Sequence, residues 1–312
     1  MTGVDWDVVV IGRSFGGLSA ALTLGRCRRS VLVIGTGGPR NAAVRHAHGL
    51  LTQDGGNPTE LIAIAETQLD KYPSVAIIDG RVDTVAAVDS AAAVDTVAAA
   101  GRGGPGFRVT FDGRTVTASA VIVATGVNDD PPAIPGLAEH WGRGVYTCPF
   151  CDGFENQDTP LVVVGVPAWA PHTATMLLGW SSDVSVFVDG LEPDVAQRLR
   201  NAGIVVDSRS IRRVIGEGGR ACGLELDDGS TLAIGAIFCA KLPIPNSALA
   251  VALGCGTDDF GLITVDAQRR TTVDGVWAVG DVTSMRHQMA FAIADGAAAA
   301  ADCHMALTSR LA

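Results

Sequence analysis

Apolar runs that end in glycine and lead into helical stretches occur twice along this chain, and the positions between them are polar. The first run is Trp6 to Ile11. Gly12-Arg13-Ser14-Phe15-Gly16-Gly17 follows, then a helical stretch from Leu18 to Gly25 and a second strand from Ser30 to Ile34. Strand, glycine-rich turn and helix in that order bring backbone N–H groups to a helix N-terminus, where a pyrophosphate can sit. Two positions depart from the usual pattern: Ser14 replaces the middle glycine, and Gly35 stands where an acid would hold ribose hydroxyls. Leu61 to Tyr72 reads as an amphipathic helix, Val75 to Val85 as a strand pair, and the Ala/Val-rich segment from Val85 to Gly106 as an irregular excursion. Phe107–Phe111 and Arg114–Ala118 flank an Asp112-Gly113 turn, a strong hairpin cue. Val121 to Gly126 is a buried strand ending in small residues, which permits close approach of a ligand.

The second half repeats the plan. Leu161–Gly165 is a buried strand, followed by Val166 to Ala170, a helix through Gly179, and a strand at Asp183–Val188. Gly223–Leu226 and Thr231–Ile234 form another hairpin about Asp228-Gly229, and Ile237–Ala240 matches the earlier Val121–Ala124 run. The chain is thus a coarse internal duplication of dinucleotide-type modules. A third piece, Gly261 to Leu311, carries Val276 to Asp281 and a terminal helix, and is too short to fold alone. Its helix is expected to include His287.

A chain of 312 residues accommodates about two domains. Its 47 % apolar and 18 % charged content is that of a globular protein, and a net charge of −10 argues against nucleic acid or an anionic membrane as partner. Apolar runs fall short of a membrane span, and no basic stretch with an apolar core opens the chain, so neither a membrane anchor nor a secretory signal is expected. Seven cysteines, an odd number, fit a reducing cytoplasm.

The chemistry concentrates at Thr147-Cys148-Pro149-Phe150-Cys151-Asp152-Gly153-Phe154. A C-x-x-C pair serves either as a redox dithiol or as half of a zinc site, and no second Cys or His pair at ligand spacing completes a tetrahedron here. A redox dithiol is therefore the reading. Cys27, Cys222, Cys239, Cys255 and Cys303 are scattered singly. The adjacent acid suits proton transfer, although Asp152 also suits a helix N-cap. His287 is a second acid–base candidate, against the plainer role of a packed or solvated histidine. Residues between the two sulfurs tune the reduction potential, and Cys-Pro-aromatic-Cys resembles the glutaredoxins, which are more oxidising than thioredoxin.

In order, the Gly12-x-Ser14-x-x-Gly17 turn, the Ala124-Thr125-Gly126 strand end, the Cys-x-x-Cys-Asp-Gly-Phe box and the Gly280-Asp281 strand end resemble the low-molecular-weight thioredoxin reductases. These are a branch of the pyridine nucleotide–disulfide oxidoreductases, and the resemblance covers nearly the whole chain. It implies an α/β fold of two Rossmann-like three-layer dinucleotide-binding domains, the second inserted in the first. Residues 1–128 and 243–312 would bind FAD, residues 129–242 would carry the cysteines, and the protein would be a homodimer. Gly12, Ser14, Phe15, Gly16 and Gly17 would cradle the FAD pyrophosphate, and Ala124, Thr125 and Gly126 would let the cofactor approach. The backbone near Val82 would face adenine, and Gly280 and Asp281 would meet the ribitol. Gln288 would lie beside the isoalloxazine, with His287 in place of the family's arginine. Arg40, Asn41 and His48 fall in segments that wrap FAD in relatives, although two histidines in a polar loop (His46, His48) read on spacing alone as solvated. By the same analogy, Cys148 is the sulfur attacked by substrate, and Cys151 is the one nearer the flavin.

The departures lie in the second module. Pro167 occupies the middle glycine position of Gly165-Val166-Pro167-Ala168-Trp169-Ala170, with no N–H and a ring where pyrophosphate would approach. Asp189 and Glu192 stand where a 2′-phosphate needs arginines, and Cys239-Ala240-Lys241 lacks the family's glycine. NADPH is therefore not expected to bind. The combination resembles the family's dithiol oxidases, which close disulfides and pass electrons through FAD to oxygen. The rival readings are an NADPH-dependent thioredoxin reductase, a ferredoxin-linked reductase, and a flavoprotein with an inert disulfide. The partner is then a small-molecule dithiol or a thioredoxin-like protein.

Overall fold

The computed structural model describes residues 5–88 and 106–310. The expected irregular excursion falls largely on residues 89–105, outside the described residues. The chain divides into two compact units: the first holds the described residues within 1–42, 58–128 and 244–312, and the second holds 43–57 and 129–243.

In the first unit, β1 (Trp6–Ile11), α1 (Phe15–Arg26), β2 (Val31–Gly35), α2 (Pro58–Leu69) and β3 (Val75–Asp79) precede β4 (Val82–Val88), β5 (Gly106–Phe111) and β6 (Arg114–Val123). The sheet order is β3-β2-β1-β6-β5-β4, with β3, β2, β1 and β6 parallel and the β4–β5–β6 ribbon antiparallel. Beside β1, β6 pairs with two further strands. Residues 114–118 pair with β5, and 121–123 pair in parallel with the strand Val276–Ala278. Short β7 (Val127–Asn128) pairs with Ile244–Pro245, where the chain re-enters the unit. β1 is apolar on successive residues because both faces are covered. Val8 and Val10 pack with Leu18 and Leu24 of α1, whereas Val9 and Ile11 pack with Phe107 and Phe111.

The second unit runs β8 (Val145–Tyr146), α3 (Pro149–Asp152), β9 (Leu161–Gly165), α4 (Ala170–Leu177), β10 (Val184–Phe187), α5 (Pro193–Asn201), β11 (Val205–Val206), β12 (Ile211–Glu217), β13 (Arg220–Leu226), β14 (Thr231–Ala233) and β15 (Ala236–Ala240). Its parallel sheet has the order β11-β10-β9-β15-β8, and β12-β13-β14 form a separate antiparallel sheet. The succession β11-β10-β9-β15 repeats β3-β2-β1-β6, so the duplication read from the sequence is a duplication of topology. It extends to single residues. Gly12 has φ +122°, and a Cβ there would lie 2.1 Å from the Ala124 carbonyl oxygen. Gly165 has φ +137°, and its Cβ would lie 2.3 Å from the Ala240 oxygen.

Several boundaries differ from the sequence reading. α1 begins at Phe15, with Ser14 as N-cap, rather than at Leu18. Glycine is a poor helix former, but a Cβ at Gly17 would sit 2.0 Å from the Gly12 oxygen, so close packing outweighs propensity. α2 starts at Pro58, where proline fits the first turn, and ends at Leu69 instead of Tyr72. Helix α5 and strand β12 were not anticipated. The long final helix, α7 (Met289–Ser309, after the short α6 at Ala248–Ala252), takes Gln288 as N-cap, so His287 precedes the helix rather than belonging to it. Residues 43–57 group with the second unit, not with the first as the sequence boundaries placed them. The reason is contact: Gly142 packs on the Ala43–Val44 backbone, and His48 Nε2 lies 3.4 Å from Glu155 Oε1.

The first unit is pinned by Asp302 of α7. Its carboxylate accepts from Arg270 Nε at 2.6 Å and Nη2 at 2.8 Å, and from Trp277 Nε1 at 3.0 Å. The Arg270 hydrogen bond holds its pKa below the usual carboxylate value against the opposing effect of burial. Stability from a depressed carboxylate is present above its unfolded pKa and is lost as pH falls through the folded one. Asp302→Ala leaves the indole N–H unpaired, and is expected to cost about 2–3 kcal/mol at pH 7 in urea titration, with a smaller difference below pH 4.

Candidate redox site and nucleotide cradles

Three strand ends converge in the first unit. β1, β6 and the Val276–Ala278 strand are adjacent and parallel, so Gly12, Ala124-Thr125-Gly126 and Gly280-Asp281 emerge together at the carboxyl edge, where open α/β sheets hold ligands. Ala124 N–H donates to Ile11 O at 2.7 Å, and Val279 N–H to Val123 O at 2.9 Å. Gly126 has φ +64°, with no atom within 4 Å of a built Cβ. Ser14, in extended conformation, opens the twelve-residue helix α1 just after the Gly12 turn, with Phe15 as its first residue. A bare glycine turn at the N-terminus of a full-length helix, facing open strand ends, fits a dinucleotide pyrophosphate.

The remaining expected residues distribute unevenly. Arg40, next to Asn41 in a short 3-10 turn, donates to Asp281 Oδ2 at 3.2 Å, which brings two of the expected cofactor residues together. Gly16 lies against Val279 and Ala292, and serves helix packing as much as any ligand. Val82 is buried in β4 among core residues that include Phe111. His287 and Gln288 stand at the start of α7, with Gln288 O accepting from Ala292 N–H at 3.1 Å. His48 lies in the second unit beside Glu155 and Asp54. Asn246 was missed by the sequence reading. It accepts from Thr125 Oγ1 through its carbonyl at 2.7 Å, donates from Nδ2 to Thr125 O at 3.0 Å, and so fixes the Thr125-Gly126 exit.

The cysteine box of the second unit follows β8. Cys148 is the N-cap of α3, and its carbonyl accepts from Cys151 N–H at 3.1 Å and Asp152 N–H at 3.3 Å. Pro149 fills the first helical position, where no N–H is required. Cys148, Cys151 and Asp152 are half-buried, while Phe150 and Phe154 are 67 % and 66 % exposed. Phe150 stands edge-on to Trp180 at 5.8 Å, and Gly153 leaves no room for a Cβ against the same indole. Asp152 closes the helix instead of capping its N-terminus, a position that belongs to Cys148. Burial pushes its carboxyl up to about 7, helped by the nearby Cys148 and Glu155 and opposed by Arg220. Such a group exchanges a proton near neutrality. By contrast, burial pushes the Cys239 and Cys303 thiols up to about 12, which leaves them poor nucleophiles.

The second cradle is built differently from the first. Between Gly165 and α4 the loop closes on itself: Trp169 and Ala170 N–H groups both donate to Val166 O, and Val166 N–H to Ala240 O. Pro167 and Pro171 have no N–H, and the Pro167 ring lies 3.6 Å from a Cβ built at Gly190. Among the described residues, no group of three or more His, Cys, Asp or Glu side chains is placed to hold a metal ion, and no helix is long and apolar enough to cross a membrane.

Comparison with known proteins agrees with this geometry. Residues 6–301 match the family model described as pyridine nucleotide-disulphide oxidoreductase. The chain is 38 % identical over 195 residues to a protein of Arthroderma benhamiae called "probable thioredoxin reductase", which covers 62 % of this chain but only 46 % of that one. It is 29 % identical over 304 residues to thioredoxin reductase tcpT of Claviceps purpurea, covering 93 % of this chain and 90 % of the relative. The crystal structure of HlmI superposes with a TM-score of 0.90 at 35 % identity, covering 99 % of this chain and 93 % of that one. The chain therefore belongs to the pyridine nucleotide-disulphide oxidoreductases, as a thioredoxin reductase-like, flavin-dependent disulfide oxidoreductase.

Proposed function

We propose that the protein is a dithiol oxidase that uses FAD and the Cys148–Cys151 pair and does not use NADPH. The observation that carries this reading is the self-closed second cradle. Its loop N–H groups at Val166, Trp169 and Ala170 are already bonded within the protein, and prolines stand at 167 and 171. A pyrophosphate at that turn would lack the donors that the first cradle offers. Asp189 and Glu192 after β10 add negative charge where a 2′-phosphate would sit.

In the forward direction a substrate thiolate attacks Cys148 of the oxidised pair and Cys151 leaves as thiolate. The second substrate thiol then displaces Cys148, so one substrate disulfide forms while the enzyme pair takes up two electrons. Asp152, in its carboxylate form, accepts a proton released by the incoming thiol. FAD, when bound, would supply the acceptor for that electron pair and the route onward to oxygen. Gly12 to Gly17, Ala124 to Gly126, Gly280 and Asp281 would hold that cofactor, with Arg40, Asn41, Val82 and Gln288 completing its surroundings. His287 is a second acid–base candidate. The reading includes a cytoplasmic homodimer acting on a small-molecule dithiol.

The names of the relatives favour a second reading, a thioredoxin reductase with a thioredoxin-like protein as partner. Anaerobic reduction of the holoenzyme separates the two. Dithiothreitol is expected to bleach the flavin absorbance, whereas NADPH and NADH leave it at least about 100-fold slower, the scale of an interaction lost from a binding turn. Rapid bleaching by NADPH overturns the oxidase reading.

A further inference from the structure

The second unit holds a buried polar connection that the mechanism above does not use. Asn156, two residues past Phe154, is 2 % exposed. Its Nδ2 donates to the Asp152 carbonyl at 2.5 Å, and its Oδ1 accepts from Arg220 Nη2 at 2.5 Å. Arg220 opens β13 in the antiparallel sheet, 64 residues further along the chain. The same guanidinium donates from Nη2 to Gly235 O at 3.0 Å and from Nη1 to the Tyr146 hydroxyl at 3.1 Å. Tyr146 belongs to β8, which leads into the cysteine box, and Gly235 precedes β15. One side chain thus ties the strand before the redox turn, the carbonyl end of that turn and the sheet behind it.

Arginine suits this place because its planar fork makes several directed hydrogen bonds at once, and a lysine cannot reproduce that geometry. A surface loop would not need such a fastening. A buried asparagine interposed between a cation and a backbone carbonyl is costly unless every polar atom is matched. Here both ends of the amide are matched.

We infer that Arg220 is a positioning residue for the redox turn: through Asn156 it fixes the carbonyl end of α3, and it brings a permanent positive charge to the same turn. This rests on the reading of Cys148, Cys151 and Asp152 as the redox machinery. The groups that act on the Asp152 proton are Cys148 of the same turn, Glu155 just beyond it and Arg220 from β13, with His48 3.4 Å from Glu155. Arg220 alone among the three direct influences favours the carboxylate. Removing its charge raises the pH at which Asp152 loses its proton, and the acid limb of thiol oxidation moves with it. The sign is fixed: a base that must be ionised works only at higher pH once its cation is gone.

The experiment follows anaerobic flavin bleaching of the holoenzyme by dithiothreitol, from pH 5.5 to 9, in wild type, Arg220→Met, Arg220→Lys, Asn156→Ala and Asp152→Asn. The wild-type acid limb is expected near pH 7, absent in Asp152→Asn, and displaced upward by roughly half a pH unit in Arg220→Met, as befits an exposed cation acting at a distance. Arg220→Lys keeps the charge and leaves the midpoint in place while lowering the plateau several-fold. Asn156→Ala likewise lowers the plateau. An Arg220→Met profile that falls in height with an unmoved midpoint overturns the inference and leaves the redox reading intact. A wild type with no Asp152-dependent limb, or no bleaching by dithiothreitol, overturns the redox reading and the inference with it. Should Arg220→Met fail to retain flavin, the Arg220→Lys and Arg220→Gln pair decides the same question, since only the second lacks the charge.

Discussion

Cys148→Ser is expected to lower dithiol-dependent oxygen uptake by at least about 1,000-fold, the scale on which removal of an enzyme's nucleophile acts. The substitution is mild for the fold. Cys148 is the N-cap of α3 in extended conformation, a position that serine fills well, and the half-buried site gains only a smaller polar atom. What disappears is the second sulfur of the pair. A hydroxyl cannot take part in thiol–disulfide exchange, so no mixed disulfide forms and no electrons leave the substrate. Flavin content and thermal midpoint should match wild type, which separates a chemical defect from a folding one. Cys151→Ser tests the division of roles. It leaves Cys148 able to attack an added aromatic disulfide, releasing one thiolate per subunit and trapping a stable mixed disulfide visible by mass. If instead Cys148→Ser traps the adduct and Cys151→Ser does not, the two roles are exchanged. Full turnover in Cys148→Ser would mean that the disulfide is inert.

Much of this site is legible in the sequence because it depends on local chemistry. A strand followed by Gly12-x-Ser14-x-x-Gly17 predicts a glycine turn leading into a helix, and that turn is found, with Gly12 at φ +122° and its backbone against Ala124. The Asp112-Gly113 hairpin forms with both turn residues at positive φ, as the dipeptide demands. The loss of one donor from the second turn also follows from Pro167, since proline removes an N–H wherever it is placed. The unread parts depend on partners distant in the chain. Arg220 follows a Gly218-Gly219 turn in a stretch with no apolar alternation to mark it, and its partners Tyr146, Asn156 and Gly235 are 74, 64 and 15 residues away. Asn246 is 121 residues from Thr125. The loop at 43–57 carries few apolar residues, so nothing in its pattern shows that it packs beside the cysteine box. Helix α5, in contrast, had readable signals: Pro193 at its first position, Asp194 in the first turn, and Arg198 and Arg200 in the last.

Asp152→Asn should separate the catalytic and energetic consequences of burying an acid, because they have opposite signs. Loss of a general base typically lowers rate by 10²–10⁴, so bleaching by dithiothreitol at pH 8 is expected to fall by at least about 100-fold. The same change should stabilise the fold there. Burial raises the folded pKa from 3.8 to about 7, so between those values the folded protein holds a proton that the unfolded chain has released. The sign follows from linkage: stability declines as pH rises through that window, and above it the protein carries a buried carboxylate at a cost of at most about 4 kcal/mol. Asparagine is neutral throughout and escapes the decline. Urea titrations of the two holoproteins should therefore diverge by at most about 3 kcal/mol between pH 5 and pH 8, with the variant the more stable at the higher pH. A constant gap at both pH values would mean that Asp152 is ionised across the range. Its titration would then lie below pH 5, and an acid limb of thiol oxidation near pH 7 would have to come from another group.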